Sequence, residues 1–140
     1  MKIGFIGLGN VGAKLAGSLI RHKFDVVVRD VDRKIADALL EQGATWGESG
    51  KELAEDCDVV ITCLPSPQVS AQVMEEHNGV LAGLSGGKVW LEMSTTDEDE
   101  VKRIGRLVEA SGAISLDSPV SGGCHRASTG NIAIFAGGKR

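Results

Sequence analysis

Three glycines spaced two and three apart, Gly7, Gly9 and Gly12, separate an apolar run at 2–6 from a segment in which Val11, Leu15 and Leu19 fall four residues apart with Ala16 and Ile20 beside them. This arrangement reads as a strand that turns sharply into a helix whose apolar stripe packs back onto a sheet. A second apolar run at 25–29 follows, with Asp30 directly after it. Two strands joined through a helix are ordinarily parallel neighbours, so the stretch predicts a βαβ unit and commits the chain to an α/β plan.

The alternation continues along the sequence. Apolar runs at 59–64, 88–92, 113–117 and 132–136 predict further strands, and helical periodicity predicts helices at 11–22, 33–42, 50–55, 67–77 and 97–110. Gln42-Gly43 and Asn78-Gly79 place glycine where a helix can stop in the left-handed conformation. Ser94, Thr95 and Thr96 offer hydroxyl caps to the last helix, and Asp97 to Glu100 set negative charge at the positive end of its dipole. The expected fold is a Rossmann-type, doubly wound, mostly parallel sheet with helices on both faces.

Composition supplies exclusions. The 42% apolar and 24% charged residues suit a soluble globular domain, and 19 glycines suit many tight turns. A net charge of −4 without a basic cluster argues against a nucleic-acid partner. No apolar stretch reaches membrane-spanning length and no basic leader precedes one, so no membrane partner and a cytoplasmic location are expected. Cys57, Cys63 and Cys124 show neither a CxxC pair nor metal-ligand spacing, which predicts reduced thiols and no metal.

The glycine spacing has a chemical reading. A pyrophosphate is held by backbone N–H groups at a helix N-terminus, provided no side chain keeps it away. Gly7 would permit the turn, Gly9 would let the pyrophosphate approach, and Gly12 would allow close helix–strand packing, with Leu8, Asn10 and Val11 completing the candidate cofactor-binding loop. Asp30 stands near the offset of an acid that binds ribose hydroxyls and would repel a 2′-phosphate, so the expected cofactor is NAD. Arg29 and Arg33 are read as solvated, the alternative being that either turns toward a 2′-phosphate. With no repeat or linker in 140 residues, one dinucleotide-binding domain at 1–140 is expected.

Several separated motifs carry a family resemblance. Gly4-Phe5-Ile6-Gly7-Leu8-Gly9-Asn10-Val11-Gly12 resembles the GFIGLGxMG opening of the β-hydroxyacid dehydrogenases, the group of 3-hydroxyisobutyrate dehydrogenase and tartronate semialdehyde reductase, with Val11 and Leu15 where that family commonly has methionine. Cys63-Leu64-Pro65-Ser66 resembles its leucine-proline turn, which implies that Leu64 and Pro65 contact NAD, although Val69 stands where asparagine is frequent. Ser94-Thr95 resembles its Ser-Thr turn and implies Thr95 beside the nicotinamide ribose; helix capping is the other reading of Thr95. Asp117-Ser118-Pro119-Val120-Ser121-Gly122-Gly123 is similar to the DAPVSGG substrate motif. It implies that Ser121, Gly122 and Gly123 hold a small carboxylate with a hydroxyl and unshielded backbone donors.

The resemblance implies hydride transfer between NAD and a small 3-hydroxy acid in the whole enzyme, with a semialdehyde as the oxidised partner. The family's acid–base lysine corresponds to a position beyond Arg140, so no catalytic residue is expected in this chain. The C-terminal helical domain is expected to be absent and the chain a truncated piece with little or no turnover. His125 matches no catalytic position of the family, and Arg126 is left open as a substrate contact. A non-catalytic nucleotide-binding regulatory module is the alternative. Apolar surface left bare by a missing domain leaves a homo-oligomer open.

Overall fold

The apolar runs at 2–6, 25–29, 59–64, 88–92 and 113–117 assemble into one parallel sheet in the computed structural model, which describes residues 1–138. The span expected as a single domain, 1–140, ends in Lys139 and Arg140, which lie outside the described residues. The elements in chain order are β1 (Lys2–Ile6), α1 (Gly12–Arg21), β2 (Asp25–Arg29), α2 (Asp37–Glu41), β3 (Thr45–Trp46), α3 (Gly50–Asp56), β4 (Val59–Thr62), α4 (Pro67–Glu75), β5 (Val89–Glu92), α5 (Glu98–Ala110), β6 (Ile114–Asp117), β7 (Val120–Ser121), α6 (Gly123–Thr129) and β8 (Ala133–Ile134). The six-stranded sheet runs β3-β2-β1-β4-β5-β6. Its order reverses between β1 and β4, the place where doubly wound sheets open a crevice at the carboxyl ends of their strands.

Strand side chains alternate between two cores. Ile3, Phe5, Val26, Val28 and Ile61 pack with Leu15, Ala16 and Leu39 on one face. Ile6, Val27, Val60 and Trp90 pack with Leu53, Met74, Ile104 and Val108 on the other. Burial on both faces is what a parallel sheet between helices demands. Each fully buried Phe, Leu or Val there contributes roughly 1.5–3 kcal/mol. Among the described residues no helix is long and apolar enough to cross a membrane.

The expected strands and helices recur with local corrections. The fourth strand ends at Thr62, freeing Cys63 and Leu64 for the loop. The helix expected at 33–42 splits into a 3-10 turn, Arg33–Ala36, capped by the Asp32 side chain, and the short α2. Gly43 takes the expected left-handed conformation, with φ 106°. Gly79 does not, at φ −75°; α4 stops at Glu75 because Glu76 is extended. The N-cap of α5 is Asp97, whose side chain accepts the Glu100 N–H, and not a hydroxyl of the preceding turn. The strand expected at 132–136 shrinks to β8, which leaves the main sheet to pair antiparallel with β7.

Candidate functional site

The three glycines have different structural reasons. Gly7 has φ 96°, and a Cβ there would sit 2.2 Å from the Cys63 carbonyl oxygen. A Cβ on Gly12 would lie 1.9 Å from the Gly7 carbonyl oxygen, so this glycine lets α1 start hard against the end of β1. Gly9 is exposed, and a Cβ there would meet nothing within 4 Å. The fold accounts for two glycines, and nothing among the described residues crowds the third. Just beyond it α1 begins with no side-chain cap and no acidic residue in its first turn. Its positive end is therefore available to an anion.

Beside this loop, Asp30 Oδ2 accepts the Leu8 N–H at 2.7 Å and Oδ1 accepts the Asp32 N–H at 3.3 Å. Leu8 contributes through its backbone, since its side chain is buried in the core. Arg29 is held, not freely solvated: its Nη1 donates to the Gly47 carbonyl at 3.0 Å and also to that of Glu48. Its guanidinium lies 6.0 Å from the Trp46 ring centroid, with that of Arg33 at 5.6 Å, so one indole engages both cations.

These groups border an open cleft of about 710 Å³, within the usual range for small-molecule sites. Gly7, Gly9, Asn10, Val11, Gly12 and Asp30 line one side, and Leu64 and Pro65 line the other. Part of this wall was not legible in the sequence: beside Val69, α4 adds Gln72 and Val73, the residue after it adds Glu76, and the segment after β2 adds Val31 and Ile35. Val31 is fully exposed and Ile35 half exposed. An apolar pair four residues apart with no place in the core was the available signal. Cys63 also faces the cleft, and burial, with the Glu92 carboxylate nearby, pushes its thiol up to about 11.

Behind Leu64, its N–H donates to Ser94 Oγ at 2.7 Å, which joins the turn after β4 to the turn after β5. Thr95 is exposed and takes no part in capping α5, a role that belongs to Asp97. It is not among the residues lining the cleft, and neither are Ser121, Gly122 and Gly123. Those three are exposed at the turn from β7 into α6, with φ of 131° at Gly122 and 74° at Gly123. They connect to the glycine loop after β1 through Cys124, whose Sγ lies 3.6 Å from the Asn10 carbonyl oxygen. His125 and Arg126 are exposed on α6. The cysteines are free thiols, and no cluster of metal-ligating side chains occurs among the described residues.

Comparison with known proteins bears on this cleft. Residues 2–140 match the family model for the NAD binding domain of 6-phosphogluconate dehydrogenase. Mitochondrial 3-hydroxyisobutyrate dehydrogenase of Rattus norvegicus is 37% identical over 136 residues, 97% of this chain and 41% of that protein. The solved Mycobacterium tuberculosis 3-hydroxyisobutyrate dehydrogenase with L-serine superposes with a TM-score of 0.91 at 30% identity, over 99% of this chain and 46% of that one. Psf3, solved in complex with NADP+ and 2-OPP, superposes with a TM-score of 0.93 at 28% identity, over 98% of this chain and 49% of that one. The chain thus spans less than half the length of each of these relatives.

Proposed function

This chain belongs to the family of the NAD binding domain of 6-phosphogluconate dehydrogenase, and we propose that residues 1–140 form the cofactor domain of an enzyme that moves a hydride between NAD and a small 3-hydroxy acid, with a semialdehyde as the oxidised partner. The observation that carries this reading is Gly9, an exposed glycine at which a Cβ would meet nothing among the described residues. A cofactor pyrophosphate crossing at Gly9 explains it, because the backbone at the start of α1 can then bind the phosphates directly.

The other contacts follow from the cleft. Asp30, oriented by the Leu8 N–H, accepts the adenosine ribose hydroxyls, and its charge opposes a 2′-phosphate. Arg29, tied to the Gly47 carbonyl and Trp46, is not free to offset that repulsion, which favours NAD over the NADP+ seen with Psf3. Val31 and Ile35 offer an apolar face to the adenine. Leu64 and Pro65 form the wall toward the nicotinamide, and Thr95, released from capping, serves the nicotinamide ribose. Ser121, Gly122 and Gly123 supply a hydroxyl and backbone donors to the substrate carboxylate.

When bound, NAD supplies the hydride chemistry; the chain binds and orients it. Among the described residues the cleft lining contains no lysine or histidine, so the proton that accompanies hydride transfer has no such relay there. We therefore expect the 140-residue chain to bind NAD with little turnover. Calorimetric titration should show NAD bound at least about tenfold more tightly than NADP, a difference of one carboxylate–phosphate repulsion. Failure to bind NAD overturns the reading, and a preference for NADP overturns the role of Asp30. Assays with 3-hydroxyisobutyrate and tartronate semialdehyde complete the test: turnover at the rate of an intact dehydrogenase would show that the proton has a route.

A further inference from the structure

Glu92, the last residue of β5, is completely buried and takes no part in the cofactor contacts proposed above. Counting donors fixes how it is used. The Leu64 N–H can only donate, and it donates to Ser94 Oγ, so the single Ser94 hydroxyl proton is committed to Glu92 Oε1 in a short contact. The Ser94 N–H donates to the same oxygen at 2.9 Å. On the neighbouring β4, Thr62 Oγ1 accepts the Trp90 Nε1–H at 2.9 Å, which leaves the Thr62 hydroxyl proton for the Glu92 carboxyl group. The Ser70 hydroxyl of α4, 3.3 Å from Oε2, is the partner free to donate or accept.

Burial pushes the Glu92 carboxyl upward, and hydrogen bonds from Ser94, Thr62 and Ser70 oppose that shift.

We propose that Glu92 is a positioning residue for the nicotinamide half of the cleft: through Ser94 it ties the Leu64–Pro65 turn to the Ser94–Thr95 turn, so that the two turns hold one relative position. The inference rests on the NAD reading above. A buried polar network with its donors satisfied resists displacement, and two turns that must meet one ribose depend on their spacing. Among the described residues none of the hydrogen bonds of this network is made by Asp30 or Gly9, so the adenosine half of the cleft is expected to respond less to it.

The test compares NAD with ADP-ribose, which lacks the nicotinamide, by calorimetry on the 140-residue chain. Glu92→Leu keeps much of the volume and removes both carboxylate oxygens, so the Ser94 N–H and hydroxyl lose their acceptor. Ser94→Ala cuts the link to Leu64 directly. Each is expected to weaken NAD about five- to tenfold while ADP-ribose changes less than about twofold, the loss of one buried hydrogen-bond link. The double variant should be no weaker than the weaker single variant by more than about twofold, because both break one connection. Amide hydrogen exchange is read alongside, so that the result does not depend on ligand binding by a damaged variant: Leu64 should exchange faster in both variants with the β1 amides unchanged. Equal weakening of NAD and ADP-ribose, additive losses, or unchanged Leu64 protection overturns the proposal. A parent chain that binds neither ligand overturns the NAD reading instead, and the inference falls with it.

Discussion

Two glycine-rich turns lead from a strand into a helix in this chain, and they are held in different ways. The first runs from the interior strand β1 into the ten-residue α1, and backbone atoms of its neighbours leave no room for a side chain at Gly7 or Gly12. The second runs from the two-residue β7 into the seven-residue α6. There a Cβ on Gly123 would meet nothing within 4 Å, and one on Gly122 would meet the flexible Arg126 side chain first. The first turn is shaped by tertiary packing and stands preformed around the cleft. The second keeps its shape through its own backbone angles on an exposed surface, so binding of cofactor and of substrate carboxylate should respond to mutation independently.

The largest expected effect lies inside the first turn. Gly12→Ala drives a methyl group into the Gly7 carbonyl, and because that contact is backbone the turn must shift; about 3 kcal/mol of stability should be lost in urea melts, with NAD binding abolished. Gly9→Val separates ligand from fold. Its stability should stay within about 0.5 kcal/mol of the parent, since a Cβ there would meet nothing within 4 Å among the described residues. NAD affinity should nevertheless fall about 100-fold, the consequence of a bulky group held where a pyrophosphate must approach. A Gly9→Val chain that binds NAD normally would move the cofactor elsewhere.

A smaller effect is expected at the lip. Asp30→Asn keeps a side-chain oxygen for the Leu8 N–H but removes the charge, so NAD should weaken about tenfold while NADP gains relative to it by a similar factor. Unchanged discrimination in paired titrations would transfer that role to Arg29 and Arg33.

The same contrast explains how far the sequence could be read. β1 and β2 fall where their apolar runs predict, because interior parallel strands are buried on both faces and leave a continuous signal. Asp30 and the glycine loop were legible for the same reason, since spacing along one βαβ unit fixes their positions in space. β3, β7 and α6 were not anticipated: two-residue strands carry no alternation, and α6 opens on glycine, which has little helical preference. Glu92 and Ser94 were invisible as a pair with Leu64, thirty residues from Ser94, because only strand register brings β4 and β5 together. Thr95 was ambiguous in sequence because a hydroxyl and an aspartate two residues apart are both good caps; Asp97 takes the role by placing its carboxylate on the Glu100 N–H.

In the second turn, Gly123→Ala should cost about 1 kcal/mol, since φ 74° strains a residue that carries a Cβ even where space is open. NAD affinity should change less than about twofold, because the residue lies outside the cleft lining. Coupled loss of both quantities would join the two turns into one unit.

The smallest effect is expected at a pair of thiols, one in each region. Cys63 faces the cleft and Cys124 sits in the first turn of α6, half-buried beside the Asn10 carbonyl. With its thiol pushed to about 11, Cys63 is only about 0.1% thiolate at pH 8, so iodoacetamide should label it slowly, and its rate should climb about tenfold per pH unit until pH approaches that value. NAD should slow Cys63 labelling further by covering the cleft floor. Cys124 should change less than about twofold on NAD binding, since it touches only the outer carbonyl of Asn10 and is not among the residues lining the cleft. Peptide mapping after timed labelling distinguishes the two sites directly. Equal protection of Cys63 and Cys124 by NAD would mean that cofactor binding orders α6 as well, and the substrate segment would then be prepared by the cofactor instead of standing apart from it.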